Sequence, residues 1–298
     1  MKKRNNKVIV LIVVAVLFAV SLLIFILNYS KDNSSFSILE KKWINDNTSN
    51  VLDISVYNDV PVYGKSGKGV IFDLLDDFTT TYGINFNKIS YSVDSSSNLN
   101  KNAFRVLNNN ESLTNKDILL YEDNYVLVST EEEVINNIND IDNHTVAVLK
   151  TDLNTVSNDL SEVKKISYLQ KENVNELEEA LKNKETNYVI VPYNMYMDFI
   201  LKNDLHILYH FSDISKKYVL TIENKTFLDI MKKYYLIYQK NKQQTSYKTN
   251  FLSEFFYDKE ITEADRMSYN SSSYNVGYIT YMPFTGKEEK DLVGTLSN

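Results

Sequence analysis

Residues Val8 to Leu27 read VIVLIVVAVLFAVSLLIFIL, twenty positions without a charge, and no other stretch constrains the chain so tightly. At about 1.5 Å of rise per residue the run makes a helix about 30 Å long, the thickness of a bilayer's hydrocarbon core. Lys2, Lys3, Arg4 and Lys7 precede it, while Lys31 and Asp32 cancel one another just beyond it. The positive-inside bias keeps residues 1–7 as a cytoplasmic tail and sends the chain from residue 29 onward to the other side. A cleaved signal peptide would need an apolar core of roughly 7 to 15 residues followed by a small-residue cleavage site. Here the core is longer, and Asn28-Tyr29-Ser30-Lys31 offers no such site. The expectation is an uncleaved transmembrane helix over 8–28, single-pass in the cell membrane, with the bulk of the chain extracytoplasmic.

The chain has no cysteine. That excludes a disulfide framework, a thiolate metal site, a cysteine nucleophile and a lipid-modified N-terminal cysteine, so the helix must do the tethering. The net charge of −7 comes from mixed-sign residues with no basic face, which sets nucleic acid aside as a partner. About 270 residues follow the apolar run, enough for one bilobed unit or two small domains. Residues 29–45 are polar, with a short helical stretch around Phe36, Leu39 and Trp43, and read as a spacer.

Beyond the spacer, periods of two and of 3.6 residues alternate. Val51–Tyr57, Tyr125–Ser129, Thr145–Leu149, Ile166–Leu169, Asn187–Val191 and Tyr218–Ile222 read as strands. Val70–Thr80, with Ile71, Leu74, Leu75 and Phe78 on one face and a stop at Gly83, reads as a helix. Asn154–Leu160, Asn173–Asn183, Tyr196–Leu201 and Phe227–Tyr238 read the same way. The alternation predicts an α/β fold with mainly parallel sheets between helices.

One stretch returns. ISVYNDVPVYGK, from Ile54 to Lys65, is echoed by VGYITYMPFTGK from Val276 to Lys287, a spacing of 222 residues. Pro61 meets Pro283, and Gly64-Lys65 meets Gly286-Lys287. The repeat predicts that a second, truncated unit of the same kind occupies 270–298, as in a tandem.

Three stretches together resemble the amino-acid type of bacterial extracellular solute-binding proteins, which have the type II periplasmic-binding-protein fold. The first is the proline turn followed by GVIFDLL, Gly69 to Leu75. The second is INDIDNHTVAVLKTDLNTVSNDL, Ile138 to Leu160. The third joins Asn173–Pro192 to Tyr218–Tyr235. The resemblance implies a bilobed domain over 46–262, with lobe 1 formed by 46–125 and 218–262, lobe 2 by 126–217, and ligand held in the cleft between them.

It also implies where the cleft residues lie. A lobe 2 helix N-terminus holds an anionic ligand group in such proteins, and the matching positions are Lys150, Thr151 and Asp152. Aspartate at 152 is expected to cap its own helix. The family's T-x-x-R, whose arginine forks onto a carboxylate, falls on Thr114-Asn115-Lys116-Asp117, with Asp117 in place of the arginine. The acidic partner of the ligand ammonium falls on Pro192, and the aromatic of the first turn on Asp59. Asn58, Asp59, Tyr63, Asp117, Lys150, Thr151, Asp152 and Tyr193 are the candidate ligand-binding set. The usual α-amino-acid recognition set does not carry over, so either another small molecule binds or the unit serves as a spacer.

Other constellations read plainly. Gly64-Lys65-Ser66-Gly67-Lys68-Gly69 lacks the spacing of a phosphate loop. His144, His206 and His210 have no acidic ligand at a set spacing, so neither a metal nor a cofactor is expected. Tyr234, Tyr235 and Tyr238 stand at helical spacing and read as core. No nucleophile motif is legible, and a non-enzymatic sensory module, the input part of a larger signalling protein with a second solute-binding unit beside it, is the leading expectation. The rivals are the receptor of a solute importer working with a permease, and an enzyme on the same fold using Asp59, Asp117 or Asp152.

Overall fold

The computed structural model describes residues 36–93, 99–163, 165–271, 286–288 and 291–293. The expected cytoplasmic tail and transmembrane helix, 1–28, lie outside these residues, and so does the start of the spacer. Among the described residues no helix is long and apolar enough to cross a membrane.

The chain enters through α1 (Ile38–Asn47), opened by a capping box in which Ser37 and Glu40 exchange hydrogen bonds. Next come β1 (Val51–Tyr57), a small hairpin of β2 (Asp59–Val60) and β3 (Gly64–Lys65), and α2 (Val70–Tyr82). Ile71, Leu74, Leu75 and Phe78 on α2 are all buried, and Gly83 ends the helix in the left-handed conformation with its N–H on the Thr79 carbonyl. Strands β4 (Asn85–Tyr91), β5 (Asn102–Leu107) and β6 (Asp117–Ser129) follow, then β7 (Thr145–Leu149), α3 (Leu153–Asp159), β8 (Ser167–Lys171), α4 (Val174–Lys182), β9 (Tyr188–Pro192) and α5 (Met197–Lys202). The long β10 (His206–Ile222) leads into α6 (Lys225–Tyr238), a π-helical turn at Gln239–Gln243 and α7 (Gln244–Asp258).

The α/β class expected from the alternation is what forms, but the sheet is mixed. Eight strands run in the order β4-β1-β5-β10-β6-β9-β7-β8. Pairing is parallel at β4-β1-β5 and at β9-β7-β8, and antiparallel where β5, β10, β6 and β9 meet. The two long strands, β6 and β10, belong to both halves. Their ladder breaks between His210↔Val126 and Ser215↔Asn124, where the four residues 211–214 of β10 stand against Tyr125 of β6. Such an insertion raises local twist and turns the sheet from one half into the other. Phe211 and Ile214 in this bulge point into the second half's core.

Each half buries its own apolar residues. In the first, Ile54, Val56, Phe104, Phe78, Phe227 and Met231 pack beneath α2 and α6. In the second, Val146 and Val148 of β7 face one cluster while Ala147 and Leu149 face another, so this central strand is apolar on both sides. The glycines that resemble a phosphate loop serve packing instead. A Cβ on Gly69, whose φ is 122°, would lie 2.5 Å from the Tyr63 carbonyl oxygen, and one on Gly64 would lie 2.7 Å from that of Tyr57.

The chain up to Asp258 forms one compact unit, and Lys259–Asn298 form another. The second contains α8 (Glu263–Ser271) and a hairpin of β11 (Gly286–Glu288) and β12 (Asp291–Val293). Gly64-Lys65 pairs backward with Asp59-Val60, whereas Gly286-Lys287 pairs forward with Leu292-Val293. The rest of the echoed stretch, 276–285, lies outside the described residues.

Candidate ligand cleft

A cavity of about 570 Å³ lies between the two halves of the sheet. The first half supplies Tyr91 at the end of β4, Lys101, Arg105 from β5 and Glu111; the second supplies Thr151, Met195 and Tyr196; Lys216 comes from β10. Glu111, Thr151, Met195 and Tyr196 lie in loops that follow β5, β7 and β9, at the carboxyl ends of strands, where an open α/β sheet places its ligands, whereas Tyr91, Arg105 and Lys216 project from strands. The volume falls within the range of small-molecule sites.

Charged side chains of both signs line it, Lys101, Arg105 and Lys216 with Glu111 and Glu223. The Arg105 guanidinium is half-buried, makes neither a hydrogen bond nor an ion pair with a described residue, and acts by its charge on Tyr91 and Asp117. Lys216 is pulled the other way: its Nζ lies 2.8 Å from Asp152 Oδ1 and 3.3 Å from Asn108 Oδ1, with both charged side chains almost fully buried. Beneath the cleft, Asp123 of β6 is fully buried and accepts from the Asn194 and Met195 backbone N–H groups, each at 2.9 Å, from Asn194 Nδ2 at 3.0 Å and from the Tyr218 hydroxyl at 2.9 Å. Burial pushes its carboxyl up, and the donors from Asn194, Met195 and Tyr218 counter that. Asp123 thereby fixes the loop that carries Met195 and Tyr196 to the strand that crosses between the halves.

Of the eight candidate residues, Thr151 alone lines the cavity. Asn58 and Asp59 tie loops together: Asn58 Oδ1 accepts from Gly67 N at 2.7 Å, and Asp59 accepts from Ser92 Oγ at 2.5 Å and Val93 N at 3.1 Å. Tyr63 is buried with its ring 4.9 Å from those of both Tyr121 and Tyr218, so it is a core aromatic, and its exposed edge meets a separate groove beside Gln243 and Tyr247. Asp117 accepts from Thr114 N, Thr114 Oγ1 and Thr221 Oγ1 at 2.8, 2.7 and 2.6 Å. Burial opposes its ionisation, but those donors and the charge of Arg105 outweigh it and hold the carboxyl below its ordinary value. Lys150 is exposed and paired with Glu172 at 2.8 Å. Tyr193 is half-buried, its backbone N–H on the Asn124 carbonyl at 3.0 Å and its ring edge-on to His210.

Asp152 departs from expectation. It occupies the N-cap position of α3, yet its side chain makes no capping bond. Its carboxylate turns instead to Lys216, a buried ammonium whose pull exceeds that of a free N–H. Tyr234, Tyr235 and Tyr238 are core, as their spacing predicts. His206 and His210 lie on an extended strand. Three further carboxylates, Asp198, Glu254 and Asp258, converge elsewhere, on the ammonium of Lys65.

Arg105, Lys216 and Asp123 are absent from the candidate set. The one available signal was compositional: Arg105 is the only arginine between Arg4 and Arg266, set in a strand-forming NAFRVL.

No protein-family model matches the sequence, and no curated protein matches it. Solved structures do match. The periplasmic VFT2 domain of Bordetella pertussis BvgS superposes with a TM-score of 0.53 at 13% identity, covering 72% of this chain and 98% of that one. The Lactococcus lactis GlnP substrate binding domain 2, in an open conformation, gives 0.52 at 12% identity over 67% and 94%. AbpA, an amino acid ABC transporter substrate-binding protein from Streptococcus pneumoniae bound to L-arginine, gives 0.50 at 16% identity over 72% and 99%. The mixed sheet, the two strands shared between its halves and these likenesses make the fold that of the type II periplasmic-binding proteins.

Proposed function

We propose that this chain is a non-enzymatic, membrane-anchored extracytoplasmic module that closes on a small anionic molecule between its lobes and serves as the input part of a larger signalling protein. Arg105 carries the reading. A half-buried guanidinium without a hydrogen-bonded partner among the described residues, facing a cavity of about 570 Å³, suits a carboxylate or a comparable planar anion. It supplies from β5 the clamp that Asp117 does not supply from the T-x-x-R position. Pro192 offers no acid to an ammonium, and Asp152 is engaged by Lys216, so an anion without an α-amino group fits better than an amino acid. The anchor is Val8 to Leu27, on hydropathy and flanking charge. Ligand contacts to both lobes favour the closed state by their differential affinity.

Thermal shift of the detergent-solubilised chain against amino acids, mono- and dicarboxylates tests this. A ligand at about 100 times its Kd stabilises by about 2.7 kcal/mol. Stabilisation by carboxylates lacking an ammonium is expected; stabilisation by α-amino acids alone would overturn the ligand class.

A spacer reading has one observation in its favour: Lys65 and Lys216 each join the two halves by ion pairs internal to the chain. An importer receptor shares the fold with AbpA, and its distinguishing property would be delivery of bound solute to a permease.

A further inference from the structure

We propose that Ile38, Leu39, Leu236 and Ile237 rest in the lipid surface of the membrane that holds the chain, so that one end of the α1 and α6 pair seats the first half of the fold on the bilayer. The proposal rests on the anchor reading above. Among the described residues the exposed large apolar side chains are scattered singly, and single ones need no explanation. The exceptions are these two adjacent pairs, 87% and 75% exposed on α1, 66% and 42% on α6.

The two pairs lie at the same end of the helix pair. Glu40 on α1 is bound to Lys233 on α6 at 2.7 Å, and the Lys233 ammonium also stands over the Phe36 ring. Three residues further along α1, Trp43 stacks on Phe227, near the start of α6, with 5.1 Å between centroids. α1 therefore runs antiparallel to α6, with its first turn beside residue 233. Leu236 and Ile237 follow Lys233 by three and four residues, one turn on along the same side of α6. Phe36 meets the Tyr82 ring edge-on at 5.6 Å, so α1 is held against α2 as well. Phe36, Trp43 and Ile44 pack on the first half's core, and the register of that packing turns Ile38 and Leu39 outward.

The tether indicates what covers them. Leu27, the last residue of the apolar run, and Ile38 are eleven positions apart, a span of at most about 40 Å when extended and about 20 Å when relaxed. The first turn of α1 stays within that reach of the bilayer that holds Val8 to Leu27. Such a tether makes the contact intramolecular, so a few side chains suffice. Lys41 and Lys42 are exposed and follow close on Leu39, and aliphatic side chains beside basic ones suit a headgroup boundary. A second copy of the chain suits the patch less, because four aliphatic side chains fall short of the roughly 800 Å² per partner that a stable protein interface covers.

The chain lacks cysteine, so a spin label can be placed at Ile38→Cys, Leu39→Cys, Leu236→Cys or Ile237→Cys, one at a time, with Val134→Cys, 83% exposed between β6 and β7, as reference. The full chain is reconstituted in lipid discs of phosphatidylcholine and phosphatidylglycerol in equal parts. Collisions of the label with oxygen, which concentrates in lipid, are compared with collisions with a water-soluble nickel chelate. An excess of oxygen over nickel collisions is expected at all four positions and not at Val134→Cys. Ile38→Asn with Leu39→Asn should remove that excess from the label at Leu236→Cys and leave the urea midpoint in detergent unchanged, since both residues are exposed. Water-like collisions at all four positions would overturn the proposal. Labels shielded from both reagents and coupled to a label on another chain would overturn it too, by placing a second copy there. A chain that alkaline carbonate strips from vesicles breaks the anchor reading together with this one; a chain that resists carbonate and still gives water-like collisions breaks this one alone.

Discussion

Two lysines join the halves of this molecule, and they do so in unlike surroundings. Lys216 reaches Asp152 at 2.8 Å with side-chain exposures of 7% and 1%; Lys65 reaches Asp198 at 2.5 Å with exposures of 22% and 24%. Each aspartate stands at the start of a second-lobe helix, α3 or α5. The buried pair has no water to fall back on, so it is fixed once the chain folds. The outer cluster is partly hydrated and holds more carboxylates than cations, so its strength responds to salt. One contact is set by burial and the other by screened charge.

Breaking the buried pair should have the largest effect. Lys216→Met leaves Asp152 charged and unpartnered by a cation, which typically costs about 3–5 kcal/mol and is readable as a fall in urea midpoint. Adding Asp152→Leu to it should recover most of that loss, since replacing both members removes the stranded charge. Tyr218→Phe comes next: it takes one of the donors from the buried Asp123 carboxylate, at a cost of about 1–3 kcal/mol in the same assay. Lys65→Ala should cost about 1 kcal/mol and its effect should shrink in high salt, because its partners are partly exposed and screened. Equal salt sensitivity for Lys216→Met and Lys65→Ala would erase the distinction between the two contacts.

The elements with a strong period were legible from the sequence, and those without one were not. β1 alternates, β7 is a short continuous apolar run, and α2, α4 and α6 each carry an apolar face, so their reading and their structure nearly coincide. β4 (NFNKISY) is an edge strand with most residues exposed, and its polar alternation resembles a loop. Of the seventeen residues of β10 the last five stood out as a strand, because the bulge places Ser212 and Asp213 in the middle of its apolar sequence. α7 buries no residue completely and left no apolar stripe to read. The cleft was least legible. Asn58, Asp59 and Asp117 sit at positions that a family pattern assigns to ligand, yet each is spent on holding loops and strands. Arg105 belongs to no motif. Its role comes from β5 lying beside β10 at the mouth of the cavity, a juxtaposition that only the folded sheet creates.

The ligand cleft rests on that arginine, and calorimetric titration of the parent and Arg105→Ala with the carboxylates that stabilise the parent tests it most directly. Loss of a charge-assisted contact worth about 1.5–3 kcal/mol should weaken binding at least about tenfold while the urea midpoint stays put. Equal affinity in the two proteins would contradict the account.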